Sequence, residues 1–132
     1  MQKTGVEAVL RGLERAGVSV ATYLPDSLLK ELYPALDAAP DIRTIPVTNA
    51  RLGLGSGIPV VMIMSYRGEM GENNWWAIPH GITMEPLLGA LRIPYRVVRR
   101  EDEIEQAIVD AFEWSYTAYY HSAVVLGGEV VR

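Results

Sequence analysis

Residues 59–64, Pro-Val-Val-Met-Ile-Met, form a continuous apolar run with no polar residue on either face. Such a run reads as a strand buried on both sides. A strand covered twice needs helices above and below its sheet, which directs the chain towards α/β architecture. From Ser65 the sequence turns polar and glycine-spaced, SYRGEMGENN. In open α/β sheets ligands bind beyond the carboxyl ends of the strands, so this loop is the first candidate for chemistry.

The flanking segments supply the rest of such a fold. Thr4-Gly5-Val6-Glu7 matches a capping box, Val6, Val9, Leu10 and Leu13 share a helical face, and Gly17 provides a left-handed stop. Val18 to Leu24 is a strand ended by Pro25-Asp26-Ser27, with Asp26 or Ser27 placed to cap a helix carrying Leu28, Leu29, Leu32 and Leu36. Residues 38–41 close that helix, and strands follow over Arg43 to Thr48 and Ile58 to Met64. Thr83 is expected to cap a helix through MEPLLGAL, with Glu85 near its positive end and Pro86 in its tolerant first turn. Arg92 to Arg99 is a charged strand suited to an edge. Asp102 opens the longest helix, buried through Ile104, Ala107, Ile108, Ala111 and Phe112, and Ala123 to Leu126 is a last apolar strand. The alternation predicts one α/β domain over residues 1–132 with a mainly parallel sheet and helices on both faces.

Composition narrows the function classes. A chain of 132 residues that is 49% apolar and 21% charged can bury a core. Its net charge of -4, with Lys and Arg scattered, argues against a nucleic-acid footprint. No apolar run reaches the length of a membrane span, and the N-terminus reads as an amphipathic helix. The absence of cysteine removes disulfides, thiolate nucleophiles and Cys-based zinc sites. A cytoplasmic protein is the expectation.

One connection does not fit. Only the segment NARLGLGSG separates the second and third strands, whereas a parallel crossover takes a dozen or more residues. Either these strands form an antiparallel hairpin, or a crossover unit is missing between residues 49 and 50. Their apparent double burial favours the second explanation. The glycines of GLGSG, Gly53, Gly55 and Gly57, precede a strand instead of opening a helix, which disfavours a phosphate loop.

LPDSLLKELYPAL at 24–36, IPVTN at 45–49, GIPVVMIMSYRGEMGENNWW at 57–76 and TMEPLLGALRIPYRVV at 83–98 together resemble the sulfopyruvate and phosphonopyruvate decarboxylase family. They are similar to its thiamine diphosphate pyrimidine-binding (Pyr) domain, a separate alpha subunit in the sulfopyruvate enzymes. The resemblance implies a Pyr-type fold and a thiamine diphosphate-dependent decarboxylase subunit for an anionic 2-oxo acid such as sulfopyruvate or phosphonopyruvate. It also implies a hetero-oligomer whose beta subunit holds the diphosphate and its Mg2+, because no Gly-Asp-Gly motif occurs here. A homodimer is the form open to the isolated chain. In the family PVTN is followed at once by a catalytic glutamate. Here Ala50 and Arg51 follow Asn49, so no catalytic residue is assigned. A non-catalytic scaffold or regulatory subunit of the same fold is the alternative.

By resemblance Pro46, Thr48 and Asn49 border the cofactor's pyrimidine pocket, and Pro25, Asp26, Ser27, Tyr66, Arg67 and His80 line the substrate pocket. Each has a simpler reading. Asp26 and Ser27 suit a helix cap, Asn49 suits a turn, and Arg67 suits an ion pair with Glu69 or Glu72. Arg67 also suits an oxyanion, because its planar fork binds such groups in pairs of hydrogen bonds. His80 is a candidate proton shuttle, or a structural hydrogen bonder. His121 has no partner at ligand spacing, and no metal site is expected. Adjacent Trp75 and Trp76 point to a subunit contact, since large aromatics are enriched at interfaces.

Overall fold

The computed structural model describes residues 1–46 and 58–131. Thr48, Asn49 and the GLGSG glycines therefore lie outside the described residues. The elements run α1 (Lys3–Arg15), β1 (Val20–Tyr23), α2 (Leu32–Asp37), β2 (Arg43–Pro46), β3 (Val61–Ser65), α3 (Ile78–Ala90), β4 (Tyr95–Val98), α4 (Glu101–Ala118) and β5 (Ser122–Leu126). Among the described residues every strand pairing is parallel. β1 pairs with β2, and β5 lies between β3 and β4. Among the described residues β2 and β3 are not partners, which speaks against the hairpin alternative.

β5 is buried at every residue and organises the core. Its side chains alternate between faces, as a strand requires. Val124 and Leu126 join Val6, Val9 and Leu13 of α1 and Ile104 and Ile108 of α4. Ala123 and Val125 pack on the other face with Leu88 of α3 and with Ile93. This arrangement is the expected α/β fold with helices on both faces. Gly12 lets α1 and α4 approach closely, because a Cβ there would stand 2.9 Å from the Ile108 Cβ.

Several local expectations are corrected. α1 begins at Lys3 with Gln2 as its unbonded cap, so the Thr4–Glu7 capping box does not form; Gly17 does take the left-handed conformation, at φ +70°. α2 begins only at Leu32, with Asp26 capping the turn before it. Pro34 lacks the amide that would close a turn onto Lys30, so the helix cannot extend back to Leu28. α3 begins before Thr83, behind the 3-10 turn Trp75–Ala77. Thr83 is therefore interior and bonds back to the Pro79 carbonyl at 2.8 Å, while Pro86 is also interior and not in the first turn.

β3 is the main departure from the expected double burial. Val61 to Met64 are all half-buried, because β3 is an edge strand of its sheet and not a central one. An edge strand lacks the neighbour that would shield its second side. β4 is the other edge, as its charges predict.

Candidate functional site at the carboxyl ends of the strands

Two polar clusters form where β1, β3, β4 and β5 end. The first joins β1 to β3. Ser65, the buried last residue of β3, donates to the Asp26 carboxylate, whose other oxygen accepts the Leu28 amide at 2.8 Å. Two residues later Arg67 donates to Ser27 Oγ at 3.3 Å through one terminal nitrogen and to Glu72 at 3.2 Å through Nε. Both members of the Arg67–Glu72 pair are mostly shielded, with side chains 15% and 13% exposed, so this is not the surface salt bridge of the simpler reading. The Asn74 amide, followed by Arg67, holds the Glu72 carboxyl below its usual range. Tyr33 fixes the β1 end of the cluster. Its hydroxyl accepts the Asp26 amide at 2.5 Å and donates to the Leu24 carbonyl at 2.9 Å, while its ring stacks on Tyr23 with centroids 4.6 Å apart.

Ser65 and Tyr66 point to opposite sides because they are consecutive on an extended chain. Tyr66 therefore belongs to the second cluster. It donates to Glu85 of α3, and Tyr95 of β4 donates to the other oxygen of that carboxylate at 2.5 Å. This hydrogen bond is the main reason that the Tyr66 phenol is pushed up to about 12. The same two donors, Tyr66 first, lower the Glu85 carboxyl. Arg99 lies over the Tyr66 ring at 5.8 Å and pairs with Glu69, whose second oxygen accepts the Gly128 amide at 2.7 Å. An open cavity of about 480 Å³ lies between Tyr66, Glu69, Arg99 and Gly81.

The loop carrying both clusters is seated on α3 by two glycines. Gly68 has φ +75°, and a Cβ there would meet the Ile78 and Ala77 carbonyl oxygens at 2.7 and 2.8 Å. A Cβ on Gly81 would overlap the Arg67 carbonyl oxygen. These glycines, together with Ser65, Glu72 and Glu85, were not singled out as site residues from the sequence. The Gly-Glu spacing after Arg67 is a visible signal for Gly68 and Glu72 alone.

Of the sequence candidates, Asp26, Ser27 and Arg67 come together, with Pro25 exposed beside them. Tyr66 faces the other cluster, and Pro46 is exposed at the end of β2. His80 is exposed in the first turn of α3, where its backbone carbonyl accepts the Thr83 hydroxyl at 3.4 Å. His121 is buried, and its Nδ1 accepts the Val60 amide at 3.2 Å, a structural role at the start of β3. Among the described residues no three His, Asp or Glu side chains come together as a metal site, and no helix is long and apolar enough to cross a membrane.

The aromatic surface is also clear. Trp75 and Trp76 meet edge to face at 5.9 Å and are 77% and 56% exposed, beside exposed Ile78 and Ile82.

No family model matches the chain. Two proteins match nearly all of it. The sulfopyruvate decarboxylase subunit alpha of Methanococcus maripaludis is 29% identical over 154 positions, covering 91% of this chain and 92% of that subunit. The sulfopyruvate decarboxylase subunit alpha of Methanothermobacter thermautotrophicus is 28% identical over 160 positions, covering 96% of this chain and 97% of that subunit. With its parallel α/β fold, the chain is thus similar from end to end to two sulfopyruvate decarboxylase alpha subunits.

Proposed function

We propose that this chain is the Pyr-type alpha subunit of a thiamine diphosphate-dependent decarboxylase for a short 2-oxo acid with a second anionic group, such as sulfopyruvate or phosphonopyruvate. The observation that carries the reading is the similarity to two such subunits along nine tenths or more of the chain. The rim geometry supports it. Among the described residues one terminal nitrogen of Arg67 has no partner, while Glu72 and Ser27 fix the remainder of the guanidinium. A guanidinium held in that way suits a carboxylate, sulfonate or phosphonate. Pro25, Asp26 and Ser27 border the same position from β1.

The described residues do not by themselves fit the cofactor. A thiamine diphosphate cofactor supplies the electron sink for decarboxylation, and the protein supplies binding and orientation. The four rim carboxylates, Asp26, Glu69, Glu72 and Glu85, are all engaged within the chain. The glutamate expected after Asn49 is absent from the sequence, and so is a Gly-Asp-Gly motif. No catalytic step is therefore assigned to a residue of this chain. Its side chains orient an anionic substrate and shield the rim, in a cytoplasmic assembly with a beta subunit that holds the diphosphate and Mg2+. Pro46, Thr48 and Asn49 are the proposed border of the pyrimidine pocket.

The absent glutamate favours a second reading, a scaffold subunit that assembles without turnover. Carbon dioxide release from sulfopyruvate, measured with a cognate beta subunit, thiamine diphosphate and Mg2+, separates the two. Turnover that needs both chains supports the decarboxylase reading. A stable complex without turnover selects the scaffold, and no complex overturns both.

A further inference from the structure

We propose that the cavity between Tyr66, Arg99 and Ile82 is a second ligand site, separate from the Arg67 cluster, for a monocarboxylate with a flat apolar body. Its volume is about 480 Å³. Pockets for small molecules run from roughly 300 to 1,000 Å³ and set a few placed polar groups among apolar ones. Here Tyr66 and Glu69 follow the end of β3 and Arg99 follows the end of β4, which is where open α/β sheets take their ligands. Among the described residues neither Arg67 nor Ser27 lines this cavity.

Arg99 supplies the anchor. Its Nη1 donates to Glu69, and its guanidinium lies 5.8 Å from the centre of the Tyr66 ring, within cation–π range. The second Glu69 oxygen accepts the Gly128 amide at 2.7 Å, so the carboxylate that holds Arg99 is itself held. Among the described residues the Nε and Nη2 groups of Arg99 have no partner. These two N–H groups form a parallel fork, and a carboxylate accepts both at once.

Charge and surface define the rest of the ligand. Glu69 already balances Arg99, and the Tyr66 hydroxyl is committed to the Glu85 carboxylate. One added negative charge meets the fork, but a second would face those carboxylates with no further cation among the described lining residues. Met70 and Ile82 also line the cavity, and both are exposed although apolar side chains gain by leaving water. The Met70 thioether adapts to whatever shape is laid on it, while Gly68 and Gly81 add wall without side chains. A flat apolar or aromatic body fits beside the fork. The inference goes beyond the decarboxylase reading, and its test involves no turnover.

The probe is sodium benzoate, titrated at constant ionic strength into the isotope-labelled full chain and followed by amide NMR shifts, with benzamide as the neutral isostere. Benzoate should give saturable shifts centred on Gly68, Gly81 and Ile82. Benzamide should bind about 10-fold more weakly or worse, the factor that a hydrogen-bonded charge supplies. Arg99→Lys keeps the charge on a side chain that is 57% exposed, so the fold is retained, but it lacks the fork; its Kd for benzoate should rise roughly 10-fold. Equal binding of benzamide or unchanged affinity in Arg99→Lys overturns the proposal. Shifts centred on Ser27 and Arg67 would assign the carboxylate to that cluster and overturn it too, as would a response that does not saturate. None of these outcomes bears on decarboxylation, which fails or succeeds in its own assay.

Discussion

Gly68 and Gly81 interlock. The backbone of the loop after β3 rests on the first turns of α3 so closely that neither position has room for a methyl group. The obstruction in each case is a backbone carbonyl, Arg67 against Gly81 and Ala77 or Ile78 against Gly68, which cannot rotate aside as a side chain would. Through this contact the position of Arg67 depends on the placement of α3.

Gly81→Ala should therefore destabilise the fold by about 1–3 kcal/mol or more, the range for overpacking a close contact. A urea titration checks this: the midpoint should fall with an unchanged m-value. Wild-type stability in this variant would contradict the interlock.

Glu85 and Tyr66 give opposite pH limbs. The Glu85 carboxyl is lowered by its two tyrosine donors, so its contribution to stability is present above the usual carboxylate range and is lost as pH falls through its depressed value. The Tyr66 phenol is raised to about 12, so its contribution is complete below the ordinary value near 10 and is lost as pH rises from there. Tyr66→Phe should flatten both limbs in a series of unfolding curves. It should also remove a phenol that titrates at about 12 from an absorbance titration.

Arg67 and Glu72 should be coupled. A double-mutant cycle of Arg67→Met and Glu72→Gln should give an interaction energy of about 1–3 kcal/mol, because a shielded pair that loses one partner leaves the other charge uncompensated. Thermal or chemical unfolding of the four proteins measures it. A coupling near zero would mean that the pair behaves as an exposed one.

Trp75→Asp should leave the isolated chain folded, since the side chain is 77% exposed, and should weaken association with the proposed beta subunit. Loss of an aromatic anchor at an interface costs about 2 kcal/mol or more, roughly 30-fold in Kd. Sedimentation of the mixed subunits reads the change. Unchanged affinity would place the interface elsewhere.

The sequence determined the class of fold, the order of strands and helices, and the loop in which the polar clusters gather. Period and composition carry those signals: an unbroken apolar run at 59–64, acidic residues in the first turn of α4, and a Gly17 stop all act locally. The short segment between β2 and β3 was also enough to expose an irregular connection. Helix starts were less legible at Thr4, Leu28 and Thr83, where a cap motif competed with proline geometry and with the Trp75–Ala77 turn. Tertiary structure alone decided that β3 is an edge strand, that Asp26 meets Ser65 while Tyr66 turns away to Glu85, and that Gly68 faces Gly81. The residues of each such pair are 13 to 39 positions apart in the chain. No local pattern encodes partners at that separation, because the packing of helices on both faces of the sheet brings them together.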